Sequence, residues 1–474
     1  MTSRPSSPDK SLFYAFCALL VWLPLPMASE LPFAWSIMVI WVNLLFLGWC
    51  WLYLKNKLHV SQSCRAAWFV LFIFCLWLIY VVFQLIPLPV SILEMLSPLS
   101  FQHWSSVQHL KGSDELIHAS ISVDPKITKV GLLLSTSYVL IFFLTLTLVS
   151  NRQRLKTLAY TLVYSGLFQA VYGSIMTLSS WEYGFFIQKT KYIGVATGTF
   201  FNRNHLAGYL EMTLAIGIGL LIATLDANTA ATFKKKVINV LKLLLSPKAR
   251  LRLMLVMMVI ALVLTHSRMG NTAFFASLFL AGVIGLICSK RATRSMVVLF
   301  VSLILIDLLI VGQWFGFEKV KQRLEQTSEM SENRDEVFQY GLEQWQDYRL
   351  TGSGLGSFYT VFPQYRGVNV NGFNREAHND YLQFATETGA IGLTLLALIT
   401  LSSLFAAIAA HYRRRDPLMR GMSFAAIMGI FAMLIHATVE FNLQMPANAA
   451  TFVVLLALAW ISLAMKRNSQ AKQV

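Results

Sequence analysis

Charge is what this sequence has least of. Of 474 residues only 13% are charged, and 23 are acidic, whereas a water-soluble chain carries about a quarter charged residues. A single soluble globular body is therefore excluded. Cysteine is also sparse: Cys17, Cys50, Cys64, Cys75 and Cys288 form no CxxC pair and four of them sit inside apolar runs. That removes a disulfide framework and a zinc site. Apolar surface is what abounds, at 56% hydrophobic residues with a mean hydropathy of +0.58. The composition is that of a membrane protein, and no nucleic-acid partner is expected despite a formal charge of +16.

A spanning helix needs about 20 mainly apolar residues, because backbone groups in hydrocarbon must bond within their own segment. Twelve stretches qualify: Ser11 to Ala28, Leu31 to Leu54, Ala67 to Leu93, Thr128 to Val149, Leu155 to Leu178, Leu206 to Leu225, Leu253 to Thr265, Met269 to Cys288, Met296 to Trp314, Gly389 to Ala410, Gly421 to Val439 and Ala447 to Met465. The first could be a signal-peptide core. A second full span follows it at once without a clear small-residue cleavage site, so an uncleaved helix is expected.

With the N-terminus in the cytoplasm, the inner loops and both tails hold 25 Lys+Arg and 3 acids, against 14 and 20 on the outer side. The bias recurs at every short inner loop, as the positive-inside rule requires. Both termini are thus expected in the cytoplasm, and the basic inner loop Asp226 to Arg252 is expected to lie on anionic membrane lipids. The net +16 becomes the difference between a basic inner side and an acidic outer one, which argues against a general polyanion-binding outer face.

The expected fold is an all-α polytopic membrane protein of about 12 transmembrane helices with a large, partly helical outer loop, 315–388, between helices 9 and 10. Within that loop Glu318 to Met330 and Arg334 to Leu350 show helical apolar spacing, and Thr351 to Phe358 is a glycine turn. Three regions follow: 1–197 with helices 1–5, 198–465 with helices 6–12, and a tail, 466–474. The 61 aromatic residues read mostly as interface belts, with a minority in Trp181 to Tyr192 and Phe358 to Tyr365 suited to stacking on sugars.

Candidate chemistry gathers at the outer boundary. His378 just precedes a helical pattern for which Asn379 and Asp380 are cap candidates. The positive end of a helix disfavours a cation, which suits a proton acceptor. The competing reading is a surface loop histidine. Arg203 stands where an outer loop enters the sixth span, and Arg268 occupies a short outer turn. Guanidinium groups bind phosphate bidentately at any relevant pH. An interfacial anchor and a snorkelling side chain are their bland alternatives. Gly352, Gly354 and Gly356 lack a following Lys-Ser or Lys-Thr, so they form no nucleotide-binding loop. Asp307, in mid-span, carries a functional expectation by default, although pairing with a polar neighbour is the better account of it.

Together GTFFNRNHLAGYLE (Gly198 to Glu211), SRMGN, TGSGLGSF and AHNDYLQFATETG, in this topology and with Gly389 eleven places after His378, resemble the O-antigen ligase and O-antigen polymerase family. The similarity runs from about Gly198 to the last span. The resemblance implies a C-type glycosyltransferase-like fold and an inverting, metal-independent transfer, with no cofactor, on the periplasmic face of the bacterial inner membrane. The donor would be a glycan on undecaprenyl pyrophosphate, and the acceptor either the lipid A core (ligase) or a second lipid-linked glycan (polymerase). Transfer to a protein is a third branch. By match of motif, His378 is the general base, and Arg203 with Arg268 bind the pyrophosphate. His436 and Glu440, four apart on one helix face and followed by Asn442 and Pro446, resemble a further family pattern in which Asp is commoner than Glu. Asn204 and His205 adjoin Arg203, while Arg334, Tyr365 and Arg366 are candidate loop contacts. A secondary transporter is the non-enzyme alternative; the two halves show no mutual similarity that would support it, and a scaffold would not need such a convergence of charge.

Overall fold

A computed structural model describes residues 7–110, 118–185, 187–224, 247–288, 328–368, 370 and 375–466. In chain order the helices are α1 (Lys10–Trp22), α2 (Pro32–Leu54), α3 (Gln62–Ala66), α4 (Trp68–Leu85), α5 (Val90–Leu96), α6 (Pro98–Leu110), α7 (Pro125–Leu148), α8 (Arg152–Leu178), α9 (Arg203–Ala223), α10 (Pro247–Leu264), α11 (Arg268–Ile287), α12 (Ser328–Asp347), α13 (Phe358–Val361), α14 (Asp380–Arg413), α15 (Pro417–His436) and α16 (Pro446–Ala464). Three short 3-10 helices, Met27–Ser29, Phe362–Gln364 and Asn442–Gln444, and two ribbons of two-residue strands, Leu88–Pro89 with His118–Ala119 and Tyr183–Gly184 with Ile187–Gln188, complete the described elements.

Among the described residues eight helices are long and apolar enough to cross a membrane: α2, α4, α7, α9, α11, α14, α15 and α16. Three further expected spans coincide with helices outside that set. At 13 residues α1 is short of the hydrocarbon thickness; α8 carries Gln169 and three tyrosines, and α10 opens with Lys248, Arg250 and Arg252. The ninth expected span, with Asp307, the segment 318–327 and most of the inner loop Asp226 to Arg252 and of the tail 466–474 lie outside the described residues.

The helices begin where cap chemistry dictates. Side chains of Asp124, Asn151, Asn202, Ser267, Asn379 and Asp416 each accept a first-turn amide of the helix they precede, and Pro125, Pro417 and Pro446 occupy first positions that need no amide. Capping frees backbone donors from hydrocarbon, where each unpaired one is costly.

The core is α9, in which every residue from His205 to Ile222 is buried. Its most extensive partner is α15, which runs in the opposite direction. At the end remote from Arg203 the two backbones nearly touch: a Cβ on Gly219 would lie 2.3 Å from the carbonyl oxygen of Gly421, and one on Gly421 2.2 Å from that of Gly219. Dispersion between close backbones, rather than exclusion of water, drives helix pairing in lipid. On the periphery, α2 and α4 turn Leu44, Leu47, Trp51, Phe72 and Ile79 outward, as a lipid-facing surface does.

The expected tenth span, Gly389 to Ala410, is the second part of a longer element. α14 begins earlier, at Asp380, and is interrupted at Gly389, whose φ of 61° and ψ of −170° no helix contains. Into that break fits the glycine turn. The Gly354 amide donates to the Glu387 carbonyl at 2.9 Å, Ser353 N to Thr386 O at 3.0 Å and Ala390 N to Arg349 O at 2.8 Å. From α4, Tyr80 Oη donates to Thr351 O and Thr388 O at 2.7 and 2.9 Å, and Gln84 Nε2 to Thr351 O and Glu387 O at 2.9 and 3.0 Å. The turn is therefore a fastener holding the segment 348–361 to α4 and α14.

Candidate active site

At the Arg203 end of the bundle, three stretches of chain meet: the start of α9, the residues just before α14, and the turn after α15. Asn202 caps α9 by accepting the Asn204 amide at 2.8 Å, which sets Arg203, Asn204 and His205 on its first turn. The turn after α15 is pinned from the α14 side. Asn379 Nδ2 donates to Thr438 O at 2.9 Å, the Asp380 amide donates to Ala437 O at 3.0 Å, and the buried Asp380 carboxylate accepts Leu443 N at 3.0 Å and Gln444 Nε2 at 3.3 Å. Asn379 itself caps α14 through Leu382 N at 3.0 Å. Asn379 and Asp380 are thus builders of the site.

What these braces position is Glu440. It is 1% exposed and accepts a hydrogen bond from Asn204 Nδ2. His378 Nδ1 lies 3.2 Å from its Oε1, His205 Nε2 3.9 Å from the same oxygen, and Arg334 Nη2 3.6 Å from Oε2. The Phe441 ring stands edge-on to both imidazoles, with centroids 4.9 Å from His378 and 4.6 Å from His205. Burial would push the Glu440 carboxyl up, but the hydrogen bond with His378 and the charges of His205, His378 and Arg334 outweigh it and hold the group at about 2. With an anion at its Nδ1, a neutral His378 ring donates through that nitrogen and keeps its lone pair on Nε2. The His378 side chain is 28% exposed, so the imidazole is reachable while its partner is not.

The arginines converge on the same place. Arg203 lies with its guanidinium carbon 5.6 Å from the centre of the Tyr192 ring, and its buried Nε has no hydrogen-bond partner among the described residues. It senses the charges of Arg334, Arg268 and Glu440. Arg268 opens α11 behind its Ser267 cap, and α11 packs on α9 so closely that a Cβ on Gly270 would lie 2.5 Å from that of Ala207. Three guanidinium groups from α9, α11 and α12 therefore share one field. The Tyr192 phenol is pushed up by burial and by Glu440, against the lowering pull of Arg334 and Arg203. Among the described residues no group of three or more His, Cys, Asp or Glu is arranged to hold a metal.

Two expectations change. His436 and Glu440 are not a pair on one helix face: α15 ends at His436 and the chain turns, so Glu440 faces His378 while His436 Nδ1 bonds Glu211 Oε1 at 2.8 Å inside the bundle. Tyr365 turns away to donate to Asp347 Oδ2 at 2.7 Å and packs beside Val123, Tyr348 and Val361, and Arg366 is exposed one residue on. Arg334, by contrast, joins the Glu440 cluster. Sequence reasoning passed over Glu211, although an acid within an otherwise apolar span was itself a signal. Tyr192 was noticed only as one of a run of aromatics.

The architecture is thus that of a polytopic α-helical membrane protein with a polar, arginine-rimmed acid–histidine centre at one end of the bundle. Residues 253–397 match the family model described as O-Antigen ligase, consistent with the O-antigen ligase/polymerase family. The matched segment includes Arg268, Arg334 and His378; Arg203 and Glu440 reach the site from outside it. No curated protein matches the chain.

Proposed function

We propose that the protein is an inner-membrane glycosyltransferase of O-antigen ligase type. It moves a glycan from undecaprenyl pyrophosphate to a hydroxyl of the lipid A core on the periplasmic face, with inversion at the anomeric carbon. The observation that carries the reading is the His378–Glu440 pair, with a reachable imidazole nitrogen opposite an anion and arginines at its rim. His378 Nε2 takes the acceptor proton as the hydroxyl oxygen attacks the sugar carbon. The bond from that carbon to the pyrophosphate oxygen breaks, and Arg203 and Arg268 neutralise the departing charge. Arginines in this role make a divalent metal unnecessary. The remaining expectations belong to this proposal as well: about twelve spans in a C-type glycosyltransferase-like arrangement, the loop 315–388 in the periplasm, and both termini in the cytoplasm.

With purified donor and acceptor, His378→Ala is expected to lose about a hundredfold or more in turnover, and the wild type to keep full activity in EDTA. Full turnover by a correctly inserted His378→Ala variant sinks the base assignment; a strict metal requirement sinks the arginine account. Deleting the gene tests the acceptor. Accumulation of long undecaprenyl-linked chains beside bare lipid A core supports the ligase, whereas lipopolysaccharide bearing a single repeat reassigns the same donor chemistry to a polymerase.

A further inference from the structure

Behind the Glu440 centre lies a second acid–imidazole pair that the proposed chemistry does not use. Glu211 and His436 are both 0% exposed and bonded at 2.8 Å. Asn204 and Glu211 are seven apart on α9, two turns or about 10 Å along one face. Opposite them on the antiparallel chain stand Glu440 and His436. Two polar rungs thus join α9 to this chain, Asn204 to Glu440 in the turn after α15 and Glu211 to His436 at the end of α15.

Between the rungs Asn442 lies against Gly208, where a Cβ would come within 2.6 Å of its Oδ1. Asn448 Nδ2 donates to that oxygen and to the carbonyl of His205, both at 3.0 Å. Five buried atoms along this track have no hydrogen-bond partner among the described residues: His205 Nε2, Asn442 Nδ2, Asn448 Oδ1, His436 Nε2 and Glu211 Oε2. Buried polar atoms of this kind are satisfied by internal water.

As a fastener the lower rung is poorly chosen. An apolar pair of similar volume is generally as stable or more so than a buried ion pair, and the fully buried α9–α15 seam has apolar packing to spare. An ionisable pair retained at this depth needs another reason.

We propose that Glu211 and His436 are positioning residues for the catalytic base. Through the packing of the two rungs around the Asn442–Asn448 bridge they fix His205 and the turn carrying Glu440, and so the orientation in which Glu440 holds His378. This inference rests on the reading of His378 as the base. It assigns the pair no contact with substrate.

The test is steady-state transfer from a lipid-linked glycan donor by the full-length protein in proteoliposomes. His378→Ala is the reference variant. Glu211→Gln, close in shape, is expected to lower kcat about tenfold to a hundredfold, the scale of a slightly misplaced reacting group, with the donor KM unchanged. In a Glu440→Gln background the same change is expected to cost less than about twofold, because residues acting through one another are not additive. If Glu211→Gln lowers the Tm, Glu211→Leu combined with His436→Leu is read instead, since an apolar pair restores packing.

A folded variant with wild-type kcat, or losses that multiply with those of Glu440→Gln, overturns the inference while the role of His378 stands. An active His378→Ala removes the reading on which it rests, and the inference falls with it.

Discussion

Glu440 and Glu387 are both buried carboxylates close to the large loop, and their surroundings could hardly differ more. Glu387 accepts the amides of Gly356 at 2.8 Å and Phe358 at 3.4 Å, and Gln383 Nε2 at 3.1 Å. Its partners are neutral, oriented backbone and amide dipoles, and they lock one piece of chain onto another. Glu440 is met by Asn204, two imidazoles and a guanidinium, and one of those imidazoles faces outward. A carboxylate satisfied by backbone amides holds a turn; one satisfied by groups that gain or lose protons can take part in chemistry. The glycine turn, whose amides are already occupied, is thereby assigned to the first category, in agreement with its lack of nucleotide-binding residues.

The largest effect should come from exchanging each carboxylate for its amide. Glu440→Gln removes the anion that orients His378, so turnover per folded molecule is expected to fall about a hundredfold, together with a lower Tm at neutral pH, where the depressed carboxyl contributes stability. Glu387→Gln puts a donor where amides need an acceptor; it should lower the Tm and leave turnover per folded molecule near wild type. A Glu387→Gln variant that stays stable and loses turnover would break the distinction between the two centres.

Next in size is Gly352→Ala, which attacks the fastener directly. Gly352 has φ +70°, and a Cβ there would sit 2.2 Å from the Glu387 carbonyl oxygen. Left-handed strain and the overlap together should cost about 3 kcal/mol, seen as a lower Tm. Protease sensitivity in the segment 348–361 should rise, because that is the part the turn ties down. Unchanged protection of this segment would mean that the Tyr80 and Gln84 bonds hold the turn without the left-handed conformation at Gly352.

Much of this molecule is legible in its residues, and the boundary of legibility is physical. Spans, caps and the grouping of His378, Asn379 and Asp380 follow from local rules of hydropathy and backbone satisfaction. Arg203 and Arg268 stood out because cations at span ends are few. What the sequence could not reveal is which faces meet. Glu211 and His436 are 225 residues apart, Gln84 and Leu355 271, and register between packed helices is set by side-chain fit that no local pattern encodes. The spacing of His436 and Glu440 misled for the same reason: four residues share a face only while the helix continues, and α15 stops at His436.

The smallest expected effect tests whether surroundings alone separate the two kinds of carboxylate. Glu376, two residues before His378, accepts a hydrogen bond from Gln383, the same amide that serves Glu387. Burial, opposed by that bond and by Arg375 and reinforced by Glu30, pushes its carboxyl up to about 7. A raised carboxyl binds its proton more tightly in the folded chain than in the unfolded one, so stability is fully retained below the ordinary value of 4.5 and declines as pH rises from there to about 7. Glutamine at 376 mimics the protonated form and removes that decline. Glu376→Gln should therefore match the wild-type Tm at pH 4 and exceed it at pH 8, where its stability is greater by on the order of 1 kcal/mol once solvent screening of this partly buried group is allowed for. Glu440, held near 2, has the opposite sign: its contribution is present at neutral pH and is lost only as pH falls from about 4.5 toward 2. Wild type and Glu376→Gln with parallel pH–Tm curves would show that Glu376 is hydrated like an ordinary surface acid, and that proximity to His378, rather than burial among neutral amides, governs the carboxylates at this end of the bundle.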